Sequence, residues 1–188
     1  MSKIQEIIKK SEQLFAKKNR PQYIISTIRK LLDQVNAHDL NLDEIMANLN
    51  RSCQWDSQPI CNMSEFSLQL FMITKGSKIP LHNHPQMWVL MRVLYGTLHI
   101  RAYNWAEEYP LSGLARKCCD ETVNGATPTI LVEPNNNNIH EIYAVEDCAF
   151  LDLLFPPYDP TQQRECHYYQ EKQVHVNGES LTKLEVIK

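Results

Sequence analysis

Between residues 66 and 155 the chain carries six short runs that are apolar or alternate apolar with polar residues: 66–74 (FSLQLFMIT), 87–95 (MWVLMRVLY), 97–103 (TLHIRAY), 129–133 (TILVE), 140–146 (HEIYAVE) and 148–155 (CAFLDLLF). Gly, Pro, Asn or charged residues bound each run, and no helical periodicity intervenes. Runs of this length and pattern read as strands. Parallel strands need long crossovers, usually helical, so the order of runs favours a mainly β, mostly antiparallel sandwich or small barrel over an α/β sheet. Tyr95-Gly96-Thr97 reads as a tight connection between two strands. Residues 106–128 are polar and weakly periodic, and read as a long irregular excursion.

Residues 1–50 have a different texture. Ile4, Ile7, Ile8, Leu14 and Phe15 recur at near-helical spacing, as do Ile24, Ile25, Ile28, Leu31, Leu32 and Val35, and then Leu42, Ile45, Met46 and Leu49. Pro21 suits the first turn of the second helix, and Asn41 with Glu44 resembles a capping box for the third. Helices with one apolar face each must pack on something. The expectation is a helical layer over 1–50 lying against the outside of a β domain over 51–188.

Composition excludes several functions. With 43% hydrophobic residues the chain can bury one sizeable core. A formal charge of -3 offers no field for a phosphate backbone, so no nucleic-acid partner is expected. No apolar run is long enough to span a bilayer, and MSKIQEIIKK lacks the continuous apolar stretch of a secretory signal. The six cysteines form no C-x-x-C pair, which suits a reducing, cytoplasmic location. No apolar surface stripe is evident beyond the helices, which points to a monomer.

The residues that carry chemistry lie in Gly76-Ser-Lys-Ile-Pro-Leu-His82-Asn-His84-Pro85. Histidines at i and i+2 of an extended strand project from one face, so both imidazoles can reach one ion. Many such pairs are surface histidines, however. His140 opens a strand-like run of its own, and in a small barrel strand ends converge, so a third imidazole could complete the set. Three protein ligands leave open positions, as a catalytic metal needs. His99 is mid-strand and could face either way; His38, His167 and His175 read as surface or hydrogen-bonded histidines. Three neutral imidazoles suit iron, zinc, copper or nickel. They also leave a divalent ion its full charge, which is compatible with an anionic thiolate.

Gly76, five residues, His82-x-His84 and Gly96 together resemble the first cupin motif, and Pro134 to His140 falls where the second should lie. Within the cupins, IPLHNHPQMWVLMRVLYGTLHIRAYNW (79–105), NNIHEIYAVEDCAFLDLLFPPYD (137–159) and RECHYYQ (164–170) are similar to the cysteamine (2-aminoethanethiol) dioxygenase and plant cysteine oxidase family. The resemblance covers roughly residues 64–171. It implies a cupin-type double-stranded β-helix and iron(II) held by His82, His84 and His140. It also places Asp152 and Tyr158 among the polar groups of a substrate pocket, and Cys166 and Tyr168 where one branch carries a cross-linking Cys–Tyr pair. Asp152 could equally be a structural acceptor, Tyr158 a loop anchor, and Cys166 and Tyr168 packing residues. Trp88 stands where cupins in general carry a glutamate ligand, which fits a site of three histidines. The usual glycine after Pro134 is missing, and an asparagine run fills the turn.

The resemblance implies an iron-dependent thiol dioxygenase that adds both atoms of dioxygen to cysteamine or to a protein's N-terminal cysteine, giving a sulfinate. An N-terminal-cysteine substrate would link the enzyme to oxygen-dependent protein degradation. The rival readings are another three-histidine cupin oxygenase and a non-catalytic metal-binding cupin sensor.

Overall fold

In a computed structural model, residues 1–107 and 111–187 are described. The strands in chain order are β1 (Trp55–Asn62), β2 (Ser67–Ile73), β3 (Lys78–Asn83), β4 (Trp88–Tyr95), β5 (Thr97–Trp105), β6 (Gly113–Asn124), β7 (Ile130–Val132), β8 (Ile139–Ala144), β9 (Cys148–Phe155), β10 (Tyr169–Val176) and β11 (Glu179–Val186). They form two antiparallel sheets, ordered β1-β2-β9-β4-β7 and β10-β11-β6-β5-β8-β3. Facing inner sides enclose Ile73, Met91, Val93, Leu98, Ile100, Ile142 and Phe150. This is the expected small antiparallel barrel of cupin type.

The strands differ in pattern because the sheets differ in cover. In the second sheet, β5 alternates buried and partly exposed residues over most of its length, since its outer face meets water. In the first sheet, β9 is buried at every position. Its inner face meets the barrel interior, while Ala149, Leu151, Leu153 and Phe155 join Leu68, Leu70 and Leu90 on the outer face. That outer face is covered by α1 (Lys3–Ala16), α2 (Pro21–Leu32) and α3 (Leu42–Ala47), whose Ile7, Leu14, Ile28, Leu32 and Met46 complete the cluster. Strands buried on both faces read as continuous apolar runs, and the apolar stripes of the helices are the complement.

Polar contacts fix the helices in place. Asp33, just past α2, accepts from both the amide and the hydroxyl of Thr129. The buried Arg92 guanidinium on β4 donates to Val35 O, just past α2, and to Thr127 O and Gly125 O of the β6–β7 connection. Pro21 is the first residue of α2, as expected. The capping box expected at Asn41 does not form: Asn41 is left-handed (φ 52°) and its side chain makes no cap hydrogen bond. Capping boxes occur instead at Ser2 with Gln5 and at Asn36 with Asp39.

The excursion expected over 106–128 is corrected by β6, which pairs with β5 along its length; residues 108–110 lie outside the described ones. Only Ala115 and Val123 of β6 are buried, so the strand lacks the apolar alternation that reveals strands in sequence. β1, an edge strand with no buried residue, escapes notice for the same reason. The β10–β11 hairpin turns on Asn177 and Gly178, both at positive φ. That Asn-Gly pair is a hairpin signature legible in the sequence. Gly96 also has positive φ, and a Cβ there would lie 2.2 Å from Asp147 O, so the Tyr95-Gly96-Thr97 connection requires glycine.

Because helices and sheet share one cluster, Ile28→Ala should cost about 2–5 kcal/mol and lower the urea midpoint of the whole chain in a single transition. Loss of helical signal ahead of the β signal would show instead that the layer melts on its own.

Candidate metal centre

The three histidines singled out in the sequence converge inside the barrel. His82 and His140 are cross-strand partners in the β3–β8 ladder, and His84 follows one residue after β3 ends. Alternation turns His82 and His84 inward together. Their ring centroids and that of His140 lie 4.8–4.9 Å apart in every pairing. All three are buried, at 7%, 3% and 3% exposure.

Hydrogen bonds on the far side of each ring fix its tautomer. His82 Nδ1 lies 2.8 Å from the Pro80 carbonyl, which can only accept. His84 Nδ1 lies 2.8 Å from Tyr158 Oη, whose own proton goes to Asn83 O. The ring of His140 is hydrogen-bonded to the Asn137 backbone. With the outer nitrogens protonated, the inner ones carry lone pairs, and His84 Nε2 and His140 Nε2 stand 3.2 Å apart. Two bare lone pairs at that distance repel. Nitrogens about 2.1 Å from a shared ion stand roughly 3.0–3.4 Å apart, so the His84–His140 pair already has the spacing of two ligands on one ion, with the His82 nitrogen within 4.8 Å of both. Burial removes the alternative of charged rings: it pulls His82 down to about 4 and, with the neighbouring imidazoles, holds His84 and His140 well below the usual histidine range. Among the described residues, His82, His84 and His140 are the group whose ligand atoms, all within 4.8 Å of one another, could hold a metal.

Of the other residues expected at the site, Tyr158 and Tyr168 pack against the histidine rings, and Asp152 and Cys166 interact with Tyr158. Asp152 on β9 shares a face with Phe150 and Leu154, which look into the interior, and sits opposite Gln69 and Met91. It is 4% exposed and its Oδ1 has no hydrogen-bond partner. Burial alone pushes its carboxyl up to about 8. Tyr158 packs its ring 5.5 Å from that of His84. Tyr168 forms a β-bridge to His82, with rings 5.9 Å apart. The Cys166 thiol interacts with both hydroxyls, and burial pushes it up, so it is held as a thiol. A cavity of about 420 Å³ opens beside Tyr158, lined also by Ser57, Ser67, Gln69, Phe71 and Leu154.

Trp88 is a correction. Its side chain packs on the helix side, stacked 6.4 Å from Phe155. Val89 turns inward instead, beside Leu154 and Tyr158. The absence of a carboxylate from this strand therefore rests on Val89. Of the remaining histidines, His99 points outward and pairs with Asp120 at 2.8 Å, and His38 and His175 are exposed.

The sequence profile of the PCO_ADO family matches residues 31–186. The chain belongs to this family. It is 32% identical over 160 residues to plant cysteine oxidase 1 of Arabidopsis thaliana, an alignment covering 78% of this chain and 55% of the plant protein. It is 34% identical over 174 residues to 2-aminoethanethiol dioxygenase of Mus musculus, covering 78% and 67% respectively. A probable 2-aminoethanethiol dioxygenase of Dictyostelium discoideum is 26% identical over 182 residues, covering 93% and 84%. The chain thus spans little more than half the length of the plant relative. A double-stranded β-helix protein of Klebsiella pneumoniae superposes on 64% of this chain and 83% of its own, with a TM-score of 0.47 and 11% identity.

Sequence reasoning missed the groups that hold the histidines: the carbonyls of Pro80 and Asn137, and the side chains of Asn83 and Asn138. Asn83 Oδ1 accepts from His167 N, fixing the segment that carries Cys166 and Tyr168 against β3. The asparagine run before His140 was the available signal, since four consecutive amides in one turn are more than a turn needs.

Asp152 gives this family member a testable pH dependence. Its folded value of about 8 lies above the ordinary 3.8, so the folded state holds the proton more tightly. The stability this contributes is complete below about pH 4 and is lost as pH rises towards about 8. Asp152→Asn cannot ionise, so its thermal midpoint should rise relative to wild type between pH 4 and 8 and run parallel above. A difference independent of pH would show that Asp152 is charged in the fold.

Proposed function

We propose that the protein is an iron(II)-dependent thiol dioxygenase acting on a small aminothiol or on an N-terminal cysteine, with His82, His84 and His140 as the iron ligands. The observation that carries this is three buried neutral imidazoles aimed at one point, with an unpartnered buried carboxyl facing the same interior. A set without a carboxylate leaves a divalent ion its full charge, which favours a thiolate beside it. Zinc has no redox chemistry, whereas this reaction moves electrons from sulfur to oxygen. The names of the relatives support the same chemistry.

Bound iron supplies the centre at which thiolate and dioxygen are brought together, converting an encounter of separate molecules into a local reaction. In the balanced reaction a thiolate and dioxygen give a sulfinate; sulfur is oxidised, and both oxygen atoms are reduced and retained. The protein's own contribution is position and charge. Asp152 binds the substrate's amino group, a cation whose approach favours the carboxylate and relieves the cost of burying it unpaired. Tyr158 holds the His84 ring through Nδ1 while its own proton goes to Asn83 O, which leaves the Tyr168 hydroxyl as the one to donate to developing oxygen charge. The interaction of the Cys166 thiol with the Tyr168 hydroxyl supports the pairing that the resemblance implies. Cysteamine and an N-terminal cysteine both carry an amine two carbons from sulfur, so one pocket can take either. No helix among the described residues is long and apolar enough to cross a membrane, and we place the enzyme as a monomer in a reducing compartment where its thiol substrates persist.

The test is anaerobic loading with iron(II), exposure to air, and mass spectrometry of cysteamine and an N-terminal-cysteine peptide. Each oxidised substrate should gain two oxygen atoms, and His84→Ala should fall below about one hundredth of wild-type turnover while keeping its fold. Stoichiometric iron with no mass change on either thiol would sink the proposal, leaving a different cupin oxygenase or a metal-binding sensor.

A further inference from the structure

The β3–β8 ladder stops one rung too early for the metal site. It pairs His82 with His140 and Asn83 with Ile139, and the next rung would set His84 against Asn138. The backbone leaves the ladder there. Pro85 has no amide hydrogen, and Gln86 turns into the left-handed region at φ 59°. His84 therefore needs some other group to hold its main chain, because its imidazole must stay beside that of His140.

The Asn138 side chain occupies that rung. Its Oδ1 accepts from His84 N at 3.1 Å, and its Nδ2 donates to His84 O at 2.7 Å and to Glu133 O at 3.0 Å. The amide thus makes both hydrogen bonds that a facing residue's backbone would make, and it is 8% exposed. One residue earlier, left-handed Asn137 (φ 57°) places the backbone that holds the His140 ring. The two-residue piece Asn137–Asn138 therefore fixes His140 by its ring and His84 by its main chain.

We propose that Asn138 is a positioning residue for the metal centre, setting the spacing of His84 from His140 by replacing a missing ladder rung with a carboxamide. The inference rests on the three-histidine reading of the site. It requires an amide at this position. Aspartate offers no donor to the two carbonyls. Alanine leaves His84 N without a partner and takes one of two donors from each of His84 O and Glu133 O, whose others are Met87 N and Asn136 N. Glutamine is one methylene too long for a packed site. It also accounts for asparagine at the end of the run in place of a residue chosen only for turning.

Cobalt(II) titration, read by the visible absorption of the bound ion, tests this without turnover. Asn138→Ala and Asn138→Asp should bind cobalt about 10–100-fold more weakly than wild type, with a shifted spectrum. Ile28→Ala, destabilised in the helix–sheet core, should keep both affinity and spectrum, which separates positioning from general loss of stability. Asn138→Asp is isosteric and decides the matter if the alanine variant does not fold. Affinity within about twofold of wild type and an unchanged spectrum in either folded variant would overturn the proposal. In the unaltered protein the His84 amide should be as protected from hydrogen exchange as its strand neighbours; free exchange there would overturn it as well. Wild-type protein that binds no cobalt would instead overturn the three-histidine reading, and this inference with it.

Discussion

Three imidazoles can be buried at one point only if each is neutral and each outer nitrogen has an acceptor. Much of the site's architecture follows from that constraint. The Pro80 carbonyl, the Tyr158 hydroxyl and the Asn137 backbone serve the three rings in turn, and each comes from a different stretch of chain. A histidine left to choose its tautomer could present a proton inward and spoil the donor set. The hydrogen bonds on the far side of the rings therefore decide the chemistry on the near side.

The barrel must also be stiff where the rings attach. β4 and β9, at the centre of the first sheet, are buried on both sides because α1, α2 and α3 cover its outer face. Apolar burial on two faces makes this the part of the molecule least able to yield locally. Asp152 sits in β9, so an ionisable group is held where water cannot relieve it, with Oδ1 unpaired. A carboxyl in that setting is raised by burial alone, and a cationic group arriving in the interior is what it lacks. The helical layer, though far from the histidines in sequence, thus helps keep Asp152 dry.

How much of this was legible in the sequence depended on whether a signal survived in a single strand. β9 and β4 were legible because double burial makes them apolar but for Asp152 and Arg92. β6 was not, since ten of its twelve residues are exposed or partly so, and β1 is an edge strand with the same defect. The i, i+2 spacing of His82 and His84 was readable from strand geometry alone. Trp88 was placed wrongly because a one-residue shift in a strand exchanges inside for outside. Val89, the inward neighbour, carries no chemical signature that would have corrected it.

By itself the sequence determined the fold class, the helical layer and the histidines, because periodicity, turn residues and spacing are local properties. The tertiary structure decided which face of each strand looks inward, which nitrogen of each ring is free, and that Asn138 fills the rung beside His84. Those outcomes depend on groups more than fifty residues apart, such as Asn138 and His84, meeting at hydrogen-bonding distance. Only the closed packing of two sheets brings them there.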